Sequence, residues 1–270
     1  MDLSNYPSKA FNGVSLVIPV MNEEGNIDGL IQDILQTSIA NPTMGIKEII
    51  FVDDGSTDKT KEIIAGYAEN SGQLNIILKE RFVKRGTVNA QLYGISQASY
   101  NAILIMDGDL QHPVSVLPSM VKKYKEGYDM VLGSRYVKGG TAERTIKHGL
   151  ISRGANLLAK SLLPWTYSIK DPISGFLIVN RRIVPYSIEM DGFNKLALYI
   201  LTCKRTVTVA EVPFDFKERK NGNSKVANGG IDFMVKYLKE LKYYRFLRQV
   251  VRGRHVPSPS SSEYELFRQE

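Results

Sequence analysis

Residues 46–58 read IKEIIFVDDGSTD and residues 102–113 read AILIMDGDLQHP. In both, a short and mostly apolar run ends in acidic residues and glycine, the pattern of a strand buried in a parallel sheet and followed by a turn. Comparable runs stand at Val14–Pro19, Leu74–Leu78, Asp129–Leu132, Phe176–Val179 and Val207–Val212. Helical patterns fill the intervals. Ile27, Leu30, Ile31, Ile34 and Leu35 recur at i, i+3, i+4, i+7 and i+8, and further helices are expected around 63–67, at 88–98, after Pro113 and at 151–163. Strands alternating with helices predict an α/β fold with a mostly parallel sheet flanked by helices.

The 270 residues suffice for a sizeable core, and 43% hydrophobic with 23% charged residues excludes a disordered or collagen-like body. A single cysteine, Cys203, excludes an intramolecular disulfide and a thiolate cage for zinc. No apolar run approaches the roughly 18–20 residues that cross a bilayer, and the opening MDLSNYPSKAFNG lacks the basic-then-apolar order of a secretory signal. The net charge of +7 is concentrated: residues 217–254 hold eleven Lys/Arg against three Asp/Glu. That excess fits an anionic partner or simply a solvated face. No helix-turn-helix, zinc or RNA-recognition motif accompanies it, so nucleic acid is not expected as a partner.

Open parallel sheets bind ligands beyond the carboxyl ends of their strands. Here that edge collects Asp53, Asp54 and Asp58 after one strand and Asp107 and Asp109 after another. Either cluster alone is compatible with ordinary turn and helix-cap chemistry. Together, converging carboxylates repel one another unless a cation lies among them, which points to Mg²⁺ or Mn²⁺ held by oxygen ligands with positions left for phosphate.

Seven short motifs follow one another: Val17-Ile18-Pro19 with Asn22-Glu23, Val52–Asp58, Asp107-Gly108-Asp109, Gly133-Ser134-Arg135, Ile151–Asn156, Asp171–Phe176 and Asn223-Ser224-Lys225. The series resembles the family-2 inverting glycosyltransferases of GT-A fold, and within them the polyprenyl-phosphate glycosyltransferases, most closely the dolichol-phosphate mannosyltransferase group. The resemblance spans residues 13 to about 250. It implies metal-dependent transfer of mannose from GDP-mannose to dolichyl or another polyprenyl phosphate, with glucose or another hexose from a UDP donor as the alternative. A phospho-acceptor receiver module also gathers Asp and Mg²⁺ at strand ends, but would leave the second half of the chain without a role.

The resemblance also implies roles. Pro19, Glu23 and Asp54 surround the base and ribose, and Asp53 supports their loop. Asp107, Asp109 and Gln111 match the metal-binding DxDxQ, with Asp109 and Arg135 nearest the chemistry. Arg135, Arg153 and Lys225 are candidates for donor or acceptor phosphate. A further basic residue expected before Ile151 is open among Arg144, Lys147 and His148, with Lys147 taken as the candidate. His112 is open between a partner that supports the metal-binding residues and a partly exposed surface histidine, with the latter taken as the expectation, and Asp171 is expected as a loop-ordering residue. A lipid phosphate is already ionised near neutral pH, so no general base is required.

Four segments are expected: an arm at 1–12, a catalytic domain at 13–230, a basic amphipathic helix at 231–251 and a disordered tail at 252–270. In the helix, Ile231, Met234, Val235, Leu238 and Leu241 form an apolar stripe flanked by Lys236, Lys239, Lys242, Arg245 and Arg248. With the apolar helix at 155–163, it predicts peripheral attachment to the cytoplasmic face of a membrane, alone or through a membrane-embedded partner subunit. Tyr243, Tyr244 and Phe246 suit the same interface. A core-packed helix with solvated lysines is the competing expectation.

Overall fold

The computed structural model describes residues 11–70, 74–81, 86–141, 146–185, 195–217 and 230–253, with the main chain alone at 70, 146–151 and 230–233. Most of the expected arm and tail, together with Arg144 and Lys225, lie outside the described residues.

Seven strands, β1 (Val14–Val20), β2 (Ile46–Asp53), β3 (Asn75–Glu80), β4 (Ala102–Ile105), β5 (Met130–Ser134), β6 (Leu177–Asn180) and β7 (Val209–Pro213), form one sheet in the order β3-β2-β1-β4-β6-β5-β7. Among the described strands, only β6 is antiparallel to its neighbours. Its reversal has a consequence for the site. The loop that enters β6, residues 171–176, lies at the same sheet edge as the carboxyl ends of β4 and β5.

Although β1 is buried on both sides, its side chains still alternate. Leu16, Ile18 and Val20 join one apolar cluster with α1 (Glu24–Ala40), α2 (Thr60–Asn70) and α4 (Leu117–Lys125). Val17 joins the other, which includes residues of α3 (Thr87–Gln97), α5 (Ile146–Leu162), α6 (Leu196–Cys203) and α7 (Gly230–Val251). Buried Ser15 donates its hydroxyl to Glu48 at 2.6 Å, and Ser99 completes the carboxylate's shell through its N–H at 2.6 Å and Oγ at 2.9 Å. A core carboxylate is tolerated when satisfied in this way. Helix α3 lies directly on β1 and β2: a Cβ at Gly94 would come within 2.4 Å of Val17 Cγ1, so only glycine allows that approach.

Two departures from the sequence-based expectations occur on the α6–α7 side. Helix α6 was not expected, because LALYILTC is apolar all round and has no period to detect; it is almost wholly buried. The expected stripe of α7 coincides only in part with the face it buries, and the side chain of Ile231 lies outside the described residues. Tyr237, Leu241 and Tyr244 enter the core, Met234 and Leu238 are half-buried, and Val235 is exposed. Tyr244 is therefore a core residue rather than an interfacial one. Arg248, expected on a charged flank, is 5% exposed and lies 5.3 Å from the Trp165 ring. Its Nη1 donates to the carbonyls of Leu201 at 3.0 Å and Thr202 at 2.9 Å, capping the end of α6.

Helix α7 also buries Glu240, whose Oε1 accepts the Tyr244 hydroxyl at 3.0 Å. Burial pushes its pKa up to about 7, partly offset by the Tyr244 bond and the nearby Lys195. A carboxyl raised above its unfolded value holds its proton longer in the fold, so its contribution to stability is fully present below about 4.5 and is lost as pH rises through about 7. Denaturant unfolding should therefore lose about 3 kcal/mol from this group between those limits, and Glu240→Gln should remove that slope and be more stable than wild type at pH 8. An unchanged slope in the variant would assign the pH dependence elsewhere.

Candidate active site

The acidic loop after β2 is built around Asp53, which is 1% exposed. Its carboxylate accepts the N–H groups of Gly55 at 3.0 Å and Ser56 at 2.9 Å, closing the turn that follows Asp54. The loop is laced to the end of β1. Asn22, held at φ 58°, receives the Thr57 N–H on Oδ1 at 2.8 Å and donates its own N–H to Ser56 Oγ at 2.9 Å. The Glu23 N–H goes to Thr60 Oγ1 at 2.8 Å, and Glu23 Oε2 accepts Asn26 Nδ2 at 2.7 Å. Pro19 is half-buried on β1, in register with Val52.

Asp54 has structural partners as well. Its Oδ1 accepts Arg81 Nη1 at 3.0 Å and its Oδ2 the Gly86 N–H at 2.7 Å. It thus ties the two ends of the β3–α3 connection to the acidic loop. Arg81 was not among the expected residues, although a cation immediately after an apolar strand at this edge was a legible signal.

The loop after β4 is equally constrained. A Cβ at Gly108 would lie 3.0 Å from Val20 Cγ1 and 3.5 Å from the Pro19 carbonyl, which places this loop against the end of β1. Asp107 is 39% exposed in its side chain, whereas Asp109 is 3% exposed and accepts the Gln111 N–H at 3.1 Å. Between them and Gln111, Leu110 adopts φ 63°, a left-handed conformation that a branched residue holds only under strain. Gln111 is fixed to the segment after β7: its Nε2 donates to the Lys217 carbonyl, and the Lys217 N–H to its own carbonyl, both at 3.2 Å.

His112 corrects the expectation of a surface histidine and agrees with the alternative, a partner that supports the metal-binding residues. It is 4% exposed, stacks on Phe176 at 4.8 Å between ring centroids, and meets Phe214 and Phe216 edge-on. Burial lowers its pKa to about 4, so the ring is neutral. Nδ1 accepts the Asp107 N–H at 3.0 Å, which assigns the ring proton to Nε2 and anchors the first carboxylate of the loop. The aromatic layer depends on Gly133, where a Cβ would meet the Phe176 ring at 2.6 Å.

Arg135 follows β5 and forms a fork with Asp171, which is fully buried: Nε donates to Oδ2 at 2.8 Å and Nη2 to Oδ1 at 2.9 Å, joined by the Arg135 N–H at 3.1 Å. The rings of Tyr136 and Phe216 lie 5.3 and 5.5 Å from the guanidinium. Tyr136 in turn shares a 2.9 Å hydrogen bond with Ser152 of α5. Arg153 is exposed on that helix; the main chain of Lys147 and His148 belongs to α5, and their side chains lie outside the described residues.

The strand order puts β1 between β2 and β4, so the two acidic loops flank one strand end, while β6 and β5 bring Asp171 and Arg135 to the same edge. Among the described residues, no group of three or more His, Cys, Asp or Glu side chains forms a metal cage. Two carboxylates and an amide on one turn instead suit a hard ion that takes the rest of its shell from phosphate and water.

A family model described as glycosyl transferase family 2 matches residues 15–185. The dolichol-phosphate mannosyltransferase of Pyrococcus furiosus is 36% identical over 239 residues, covering 87% of this chain and 64% of the relative, so the chain spans less than two thirds of that protein. The dolichol-phosphate mannosyltransferase of Mycosarcoma maydis is 31% identical, covering 90% and 83% respectively. Among solved structures, Mycobacterium tuberculosis glucosyl-3-phosphoglycerate synthase in complex with Mn²⁺, UDP and glucosyl-3-phosphoglycerate superposes with a TM-score of 0.64 at 20% identity, over 89% of this chain and 81% of that one. The likeness to that structure is one of fold, and the motif series falls largely within the residues that the family model matches. The chain belongs to glycosyl transferase family 2.

Proposed function

We propose that this chain transfers mannose from GDP-mannose to dolichyl or another polyprenyl phosphate, with inversion at the anomeric carbon and with a bound Mg²⁺ or Mn²⁺. The observation that carries the reading is the pairing, at one sheet edge, of two carboxylate loops flanking β1 with a carboxylate-held arginine after β5. Relatives named dolichol-phosphate mannosyltransferase support the acceptor and sugar.

In this reading Pro19, Glu23 and the loop ordered by Asp53 and Asp54 receive the nucleotide. Asp107, Asp109 and Gln111 hold the ion, which supplies Lewis-acid stabilisation of the departing diphosphate. His112 keeps the Asp107 main chain in place. Arg135, with Arg153, Lys147 and Lys225 as further cations, meets the phosphates. An ionised lipid phosphate attacks without a general base. Asp171 is committed to Arg135 and takes no part as one.

The catalytic unit runs through residue 230, with α7 attached to its flank and working at the cytoplasmic face of a membrane. No helix among the described residues is long and apolar enough to cross a bilayer. Exposed Leu157 on α5, Tyr167 after it, and Val235 and Val250 on α7 accompany exposed Lys236, Lys239, Lys242 and Arg245, a mixture suited to a headgroup region. A membrane-embedded partner subunit is the alternative means of attachment.

The decisive experiment offers GDP-mannose or UDP-glucose with a short polyprenyl phosphate and Mn²⁺, and follows the lipid-linked sugar. Mannosyl transfer from the GDP donor is expected; transfer from UDP-glucose alone would replace the donor and sugar. Asp109→Asn should stay folded and lose about 10³-fold in rate, equivalent to ~4 kcal/mol in the barrier. Activity within threefold of wild type would remove Asp109 from the metal site.

Attachment is tested by co-sedimentation with anionic and neutral vesicles at two salt concentrations. Each Lys or Arg near an anionic surface contributes about 1 kcal/mol, so the triple variant Lys236→Glu, Lys239→Glu and Lys242→Glu should release the protein, and added salt should do the same to wild type. Binding indifferent to lipid charge and to the substitutions would leave α7 as a docking element for protein alone.

A further inference from the structure

Glu211 on β7 belongs to none of the motifs read from the sequence. Its two carboxylate oxygens each accept a main-chain N–H from consecutive residues: Oε2 that of Lys170 at 2.8 Å, and Oε1 that of Asp171 at 2.8 Å. Asp171 then takes three donors from Arg135, the N–H, Nε and Nη2. Strand pairing sets Glu211 beside Leu132 and Pro213 beside Ser134, so β7 runs alongside the strand that ends at Arg135.

Glu211 is half-buried and Lys170 is exposed, so water could have met that N–H without help from the protein. Committing both oxygens of one carboxylate to two adjacent amides instead fixes where the 170–171 main chain sits. That placement sets the position of the Asp171 carboxylate, which grips the Nε–Nη2 edge of Arg135. The plane of the guanidinium, bounded by Tyr136 and Phe216, is thereby determined. We propose that Glu211 is a positioning residue for the acceptor phosphate: through Asp171 it aims Arg135 at the anionic group. This inference rests on the reading that Arg135 meets that phosphate.

The test uses Glu211→Gln, which retains one accepting oxygen in place of two, with Asp171→Asn and Arg135→Gln for comparison. Three quantities are followed: transfer kinetics with citronellyl phosphate as acceptor, GDP affinity by calorimetry, and the Nε–Hε NMR signal of Arg135, assigned by its loss in Arg135→Gln. Glu211→Gln should shift or broaden that signal and raise the acceptor KM by about tenfold, the scale of one lost charge-assisted hydrogen bond. GDP affinity should stay within about twofold and kcat at saturating acceptor within about threefold, because the nucleotide loops lie across β1. An unaltered Nε–Hε signal in Glu211→Gln would overturn the positioning role. Equal loss of GDP and acceptor affinity would also overturn it, by showing a general structural effect. A shifted signal with acceptor KM unmoved in all three variants would instead sink the assignment of Arg135 to the acceptor, leaving the link from Glu211 to Arg135 supported.

Discussion

Asp171 is entirely inaccessible to water, and a carboxylate so placed has to be met by cations and N–H donors within the protein. Arg135 meets it with three donors, and Glu211 holds the main chain that carries it. This pair joins parts of the chain that the sheet alone would leave independent. The end of β5, the loop entering β6 and the edge strand β7 are locked together by charge. Removing either partner would leave the other buried or half-buried without its counter-charge, which gives the pair one geometry.

Antiparallel β6 makes that contact available. In a sheet of uniformly parallel strands, the loop entering a strand lies at the edge opposite the site. Reversal of β6 brings residues 171–176 to the carboxyl ends of β4 and β5, where Phe176 stacks on His112 and His112 accepts the Asp107 N–H. The aromatic layer and the ion pair therefore act on the same edge from two sides. One fixes the carboxylate turn after β4; the other fixes the arginine after β5. Positive φ occurs at Leu110, in the loop after β4, and at Asn22, in the loop that leaves β1 and receives the Thr57 N–H.

Helix α7 has two faces with different physics. Tyr237, Leu241 and Tyr244 seal the sheet's second apolar layer, and Arg248 caps α6. Lys236, Lys239 and Lys242 of the same helix are exposed. One helix thus presents different residues to the core and to its surroundings, and burial of one face leaves the charged residues of the other outside the core.

Strands were legible because apolar runs of four to eight residues bounded by polar or turn residues have few other structural meanings, and all seven described strands stand where such runs do. The acidic loops after β2 and β4 were legible for the same reason, since turn chemistry is local. Helix α6 was not, because a segment buried on every side shows no periodicity. The buried face of α7 was legible only in part, through Leu241, because several residues on an amphipathic helix can form a stripe, and the neighbouring α5 and α6 select which one faces inward. His112 could not be placed from sequence, as its burial depends on Phe176, Phe214 and Phe216 arriving from distant positions. Arg81 and Glu211 acquire their partners only through tertiary contacts spanning 27 and 40 residues. The sequence by itself determined the strands, the acidic edge and the family likeness, because these are encoded in short contiguous patterns. The reversal of β6, the Arg135–Asp171–Glu211 linkage and the inward face of α7 were decided by packing between segments far apart in the chain, where charge and shape must be satisfied jointly.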